Sequence, residues 1–247
     1  MDLTVIGCSD AFGSGGRLQT SYHVAHSGGA FLIDCGATTL IGLEREGIDP
    51  SSIEIIFITH LHGDHFAGLV WWLIHAIHVD RRTAPLVVTG PVGIEERFKT
   101  AAEALFPGAT TTPRTFDLAF RTYTERAPLK AGGVWVKPYE VSHPSGAPPY
   151  ALRFEVDGKV LTFSGDTEWT DSLLDAADAA DLFICECYAF DKPARYHLNW
   201  RTIEAALPRI GAKSVLLTHM GPDMLANQSA VSHPDVLLAR DGMKLKV

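Results

Sequence analysis

The chain has 247 residues, 46% of them hydrophobic and 20% charged, with 21 Lys and Arg against 29 Asp and Glu for a net charge of −8. Those proportions are ordinary for a soluble globular protein and exclude intrinsic disorder, collagen and coiled coil. The acidic balance argues against a grip on a long polyanion, because phosphate contacts supply most nucleic-acid affinity. No linker or charge block interrupts residues 1–247, which read as a single domain. A domain of this size exposes about 11,000 Å² and buries about 70% of its unfolded surface, enough for a core without disulfides.

The opening segment MDLTVIGCSDAFGSGG has no basic region and no long apolar stretch, so it reads as a first strand and not as a secretion signal. Short apolar runs ending in polar clusters follow, predicting strands over 30–34 (AFLID) and 53–59 (IEIIFIT). A helix is expected over 66–79, where Phe66, Leu69, Val70, Leu73 and Ile77 form an i, i+3, i+4 stripe. A strand over 85–89 and a helix over 93–106 come next. Strands are then expected over 134–141, 151–156 and 160–164, the last two joined by a tight Asp157-Gly158 turn. A helix over 171–179, a strand over 182–185, a helix over 200–210 and a strand over 214–218 complete the series. Asn199 is the expected N-cap of the last helix and Gly211 its stop. Consecutive strands mixed with helix-interleaved ones predict an α/β sandwich, two mixed sheets between helices, in preference to a doubly wound parallel sheet. The longest apolar run, LVWWLI (69–74), is too short to span a bilayer. Cys8, Cys35, Cys185 and Cys187 sit in strand-like runs as inert thiols, which points to the reducing cytoplasm.

Eleven histidines are present, and several are placed non-randomly. His60, His62, Asp64 and His65 fall within six residues directly after a buried strand. Imidazole and carboxylate are the ligand types that suit zinc, iron and manganese. His60 and His62 can project to one side of the turn, and Asp64 and His65 to a second point close by. His143, Asp166 and His219 each follow a predicted strand as well. These seven residues can hold two divalent metal ions, Zn²⁺ first with Mn²⁺ or Fe as alternatives, and Asp166 is the natural bridge.

Together these features resemble the metallo-β-lactamase superfamily. Its H-x-H-x-D-H signature stands here as HLHGDH, with the downstream His, Asp and His at 143, 166 and 219 and a matching AFLIDCG segment around Asp34. FITHLHGDHFAGL together with SGDT resembles the phosphodiesterase branch that holds ribonuclease Z and cyclic-nucleotide phosphodiesterases. The resemblance implies the αββα sandwich. It also implies a proton relay, in which Glu186 at a strand end and His197 before a helix serve the leaving group; Asn199 stands where Thr is usual. The bland alternative for that pair is a surface salt bridge. Asp64 would hold one metal and orient the nucleophile.

The chain departs from ribonuclease Z in one respect. His143 and Asp166 are 23 positions apart, filled by a loop and a hairpin, with no tRNA-binding arm. With no basic cluster longer than Arg81-Arg82, precursor tRNA is disfavoured as a substrate. The expected activity is therefore a dinuclear metal-dependent phosphodiesterase on a small molecule or short oligonucleotide, with no membrane partner. The alternatives are a carbonyl ester, lactone or thioester hydrolase of the same fold, or a non-enzymatic sensor. Trp71 and Trp72 read as core or a homodimer contact, and His75 and His78 as solvent-facing. The Gly13–Gly16 stretch lacks the P-loop Lys and reads as a flexible loop.

Overall fold

A computed structural model describes all residues, 1–247. The first sheet is built from β1 (Asp2–Gly7), β2 (Ser21–His26), β3 (Gly29–Ile33), β4 (Ile55–Phe57), β5 (Leu86–Gly90) and β6 (Leu118–Thr122). Between them run α1 (Thr39–Glu46), α2 (Gly63–Phe66), α3 (Gly68–His78) and α4 (Ile94–Leu105). The second sheet takes β7 (Leu129–Ala131), β8 (Val134–Glu140), β9 (Tyr150–Val156), β10 (Lys159–Phe163), β11 (Leu182–Glu186), β12 (Val215–Thr218) and β13 (Val236–Leu238). Its helices are α5 (Ser172–Ala177), α6 (Trp200–Ala206) and α7 (Pro222–Ala226), and β14 (Lys244–Lys246) returns to pair with β1. The strand orders are β14-β1-β2-β3-β4-β5-β6 and β13-β12-β11-β10-β9-β8-β7.

Each sheet is mixed in the same way. The strands β3 to β6 are mutually parallel, as are β10 to β13, and the remaining pairs are antiparallel. Parallel strands carry their C-terminal ends to one side, which is where open α/β sheets present ligand residues. Period-two alternation sorts the side chains: Phe31 and Ile33 join the core between the sheets, while Leu32 joins the core under the helices. Phe31, Phe57 and Phe154 pack with ring centroids 5.1–5.4 Å apart between the sheets. The exposed surface, 10,170 Å², agrees with the size-scaling expectation. No helix is long and apolar enough to cross a membrane.

All the predicted strands and helices form, with shifted ends. The helix expected over 66–79 is interrupted at Ala67, because the Gly68 amide leaves the helical ladder and donates to the Cys35 carbonyl at 2.9 Å; a Cβ on Gly68 would lie 2.2 Å from the Gly36 carbonyl oxygen, so only glycine allows that approach. The last long helix ends at Ala206 and tightens into a 3₁₀ turn at Leu207–Arg209, where Pro208 has no amide to continue the ladder. Gly211 is therefore not its stop; a Cβ there would meet Asp178 Oδ1 at 3.1 Å. The Asn199 cap does form, its side chain accepting from the Thr202 amide at 2.9 Å. Asp157 and Gly158 turn the hairpin at φ 53° and 70°. All four cysteines are buried and free.

Arg82 is not part of a surface basic patch. It is 3% exposed and donates to the carbonyls of Ala84, Ile53 and Pro85 at 2.7, 2.8 and 2.8 Å, with Ser51 and Pro50 at 3.3 and 3.5 Å. A charged donor serving several buried acceptors is costly to remove, because those carbonyls are left unpaired. Arg82→Met should lower the stability measured by urea unfolding by about 3 kcal/mol, with metal content unchanged. A loss below about 0.5 kcal/mol, the ordinary size for a surface substitution, would show that water replaces the guanidinium.

Candidate metal centre

The turn after β4 brings Thr59, His60 and His62 to the edge between the sheets, and α2 adds Asp64 and His65. The remaining ligand-type residues arrive from the second sheet: His143 beyond β8, Asp166 beyond β10 and His219 beyond β12. The seven form two adjoining groups. His60, His62 and His143 make one, and Asp64, His65, Asp166 and His219 the other, with ligand atoms within 4.8 Å of one another in each. Asp166 joins them. Its Oδ2 lies 3.3 Å from the Nε2 atoms of His65 and His219, 3.8 Å from that of His60 and 4.0 Å from that of His143.

Four of the rings are oriented from behind. Asp34, buried at the end of β3 with φ 59°, accepts from the Thr59 amide and hydroxyl at 2.7 and 2.8 Å and from His65 Nδ1 at 2.6 Å. With the Thr59 hydroxyl proton spent on Asp34, His60 Nδ1 is the donor to Thr59 Oγ at 3.0 Å. His143 Nδ1 donates to the Tyr196 carbonyl at 2.9 Å. His219 Nδ1 faces Thr20 Oγ at 3.3 Å, and that hydroxyl itself donates to the Ser9 carbonyl. Each Nδ1 proton is thus turned outward, leaving the four Nε2 atoms to converge on Asp166.

That arrangement fits divalent cations. His60 Nε2, His65 Nε2 and Asp166 Oδ1 are buried with no hydrogen-bond partner, a state proteins rarely keep without use. Burial holds His60 well below the ordinary imidazole value and brings His143 down to about 4, so both rings are neutral, the form that ligates metal. Burial also opposes a charge on His65, yet Asp166, Asp64 and Asp34 around it drive it well above the ordinary value. The three carboxylates call for positive charge at this spot.

Glu186, at the end of β11, is fully buried and accepts from the Thr167 amide at 2.6 Å and from His197 Nδ1 at 3.1 Å. The pair is not a surface salt bridge. Burial works against the imidazolium, but the hydrogen bond and charge of Glu186 outweigh it and raise His197 to about 9. His197 stacks between Tyr188 and His219, with centroids 5.0 and 5.5 Å away. It also groups with His143 and Asp166, within reach of the same centre.

Above these residues opens a cleft of about 440 Å³, rimmed by Phe12, Tyr188, Arg195 and Tyr196. Sequence reasoning missed all four, which lie in irregular segments with no periodicity. The glycine-rich stretch is anchored, contrary to expectation: Asp10 accepts from the Phe12 amide, the Ser14 amide and the Ser14 hydroxyl at 3.2, 2.9 and 2.7 Å. Phe12 is left 85% exposed at the rim. On α3, Trp72 is buried, Trp71 lies half-open against Phe106, and His78 faces solvent. His75, expected in solvent, is partly covered and 3.2 Å from Asp80.

Comparison with known proteins agrees with the fold. The anti-Pycsar protein Apyc1 family matches residues 1–240. A ribonuclease Z of Methanothermobacter thermautotrophicus is 29% identical, over 89% of this chain and 86% of its own. An uncharacterized protein of Mycobacterium leprae, ML1173, is 28% identical over 89% of this chain and 78% of its own. Among solved structures, the metallo-β-lactamase fold protein YhfI of Bacillus subtilis superposes with a TM-score of 0.81 at 22% identity, covering 99% of this chain and 98% of its own. The short form of human tRNase Z superposes at 0.79 with 24% identity, covering 100% and 99%. With that family match spanning nearly the whole sequence, and with the histidine and aspartate cluster at the sheet ends, the chain belongs to the anti-Pycsar protein Apyc1 family, on the ribonuclease Z-like side of the metallo-β-lactamase superfamily of metal-dependent hydrolases.

Proposed function

We propose that the protein is a dinuclear metal-dependent phosphodiesterase acting on a small or single-stranded phosphodiester. The observation that carries this reading is the convergence of four histidine Nε2 atoms on one carboxylate oxygen of Asp166, beside the buried Glu186–His197 pair. His60, His62 and His143 would hold one cation, and Asp64, His65 and His219 the other, with Asp166 shared. Zn²⁺ suits this donor set, as do Mn²⁺ and Fe. Two cations bound there would supply a water that ionises near neutral pH and would neutralise phosphate oxygens.

The rest is the work of the chain's own residues. His197, protonated at neutral pH, gives its proton to the departing alkoxide. Glu186 orients the ring through Nδ1 and stabilises the charged form before transfer. Arg195 is the one Lys or Arg lining the cleft and meets an anionic substrate there. Phe12 offers it an apolar face.

Ribonuclease Z relatives make precursor tRNA the obvious rival substrate. Between His143 and Asp166, however, stand only a short loop and the β9–β10 hairpin. One set of assays separates the readings. The metal-loaded protein should turn over bis-p-nitrophenyl phosphate, leave p-nitrophenyl acetate nearly untouched and cut precursor tRNA poorly at moderate salt. Preference for the acetate would make it a carboxylic ester hydrolase. Efficient tRNA cleavage would restore the ribonuclease reading, and no turnover of any of the three would favour a sensor.

A further inference from the structure

Tyr196 is a bulky aromatic residue held at φ 70°, in the left-handed region that costs any residue with a Cβ. Such strain persists only where the surroundings over-determine it. Two hydrogen bonds do so here. The Tyr196 amide donates to Glu168 Oε1 at 2.9 Å, and the Tyr196 carbonyl accepts from His143 Nδ1 at 2.9 Å. Glu168 is placed to act on several parts of the centre at once. It follows Asp166 by two residues, and its amide donates to the Ser142 carbonyl at 3.0 Å in an isolated bridge next to His143. Its side chain reaches the residue before His197. One residue therefore ties together the segments that carry His143, Asp166 and His197.

We propose that Glu168 is a positioning residue, a latch that holds Tyr196 in its left-handed conformation and so aims the Tyr196 carbonyl at His143. The carbonyl accepts a hydrogen bond from Nδ1–H, which keeps the proton on that nitrogen and fixes the ring plane. His143 Nε2 is left unprotonated, 3.0 Å from His62 Nδ1 and 4.0 Å from Asp166 Oδ2. Released from the latch, the 191–197 segment relaxes, the carbonyl turns away and His143 loses both tautomer and orientation. Partners of this kind behind a metal-ligating histidine are worth roughly 10–100-fold in metal affinity. The latch rests on the proposed role of His143 as a ligand.

Titration of the metal-free protein with Zn²⁺ against a chromophoric chelator tests it without any substrate. Glu168→Ala should weaken one of two binding steps by about 10–100-fold and spare the other. Glu168→Gln keeps an acceptor oxygen and should restore that step to within a few-fold. Tyr196→Gly adopts positive φ freely and should bind as wild type despite losing the ring. Tyr196→Ile, β-branched, should fail as Glu168→Ala does. Wild-type affinities in Glu168→Ala, equal losses in Ala and Gln, or equal losses in Tyr196→Gly and Tyr196→Ile each overturn the latch. His143→Ala is the control for the underlying reading. If its affinities match wild type, His143 is no ligand and that reading falls; if they drop while Glu168→Ala binds normally, the latch alone falls.

Discussion

Asp166→Ala is expected to lose both metal ions and at least about a thousandfold in kcat/KM, since a bound cation supplies several kcal/mol of transition-state charge stabilisation and 1.36 kcal/mol is tenfold. The reason is positional. Asp166 Oδ2 stands 3.3 Å from His65 and His219, 3.8 Å from His60 and 4.0 Å from His143, so its removal strips a ligand from both groups at once. His219 belongs to one group, and His219→Ala should retain one ion. Native mass spectrometry or elemental analysis counts the ions directly. Wild type should carry close to two per chain, and exhaustive chelation should remove metal and activity together. A wild-type stoichiometry of one, or Asp166→Ala retaining one firmly held ion, contradicts a shared carboxylate.

The second large effect depends on the substrate. His197→Ala should lose about 10²–10⁴-fold on an alkyl or nucleoside phosphodiester and far less on bis-p-nitrophenyl phosphate. An alkoxide is too basic to leave unprotonated at neutral pH, whereas p-nitrophenolate departs without help. The geometry that motivates this is the buried Glu186 carboxylate 3.1 Å from His197 Nδ1, with His197 raised to about 9. Glu186→Gln should show the same selectivity more mildly, because it weakens the polarisation of the ring without removing the acid. Metal content should stay at the wild-type level in both variants. His197 also lies within reach of His143 and Asp166, where an extra ligand would stand. Equal slowing of both substrates, or loss of an ion from His197→Ala, would assign it that part instead.

Much of the fold was legible because its signals are local. The apolar run in AFLID and those leading to Thr59 and His219 mark buried strands, and Asp157-Gly158 marks the hairpin turn. Several elements that escaped notice lack such signals. The strands β7, β13 and β14 span three residues each, too few to show a period. In β2, SYHVAH carries histidines whose burial comes from its neighbours, not from its own composition. A helix that reads as continuous is divided before Gly68, because the Gly68 amide donates to the Cys35 carbonyl, a partner 33 positions away.

The candidate site divides along the same line. The amino-acid sequence by itself determined which donor atoms are available and that they follow strands: the HLHGDH cluster is contiguous, and His143, Asp166 and His219 stand just past apolar runs. Only the tertiary structure decided how those donors are aimed and what surrounds them. Asp34 meets His65 across 31 positions, the Tyr196 carbonyl meets His143 across 53, and Glu168 meets Tyr196 across 28. Phe12 and Arg195 reach the rim from loops on different parts of the chain, and Arg82, half of the longest basic cluster in the sequence, is buried among carbonyls. Hydrogen bonds of this kind join irregular segments whose side-chain directions follow no repeating period, so their pairing is set by where the two sheets place the loop ends.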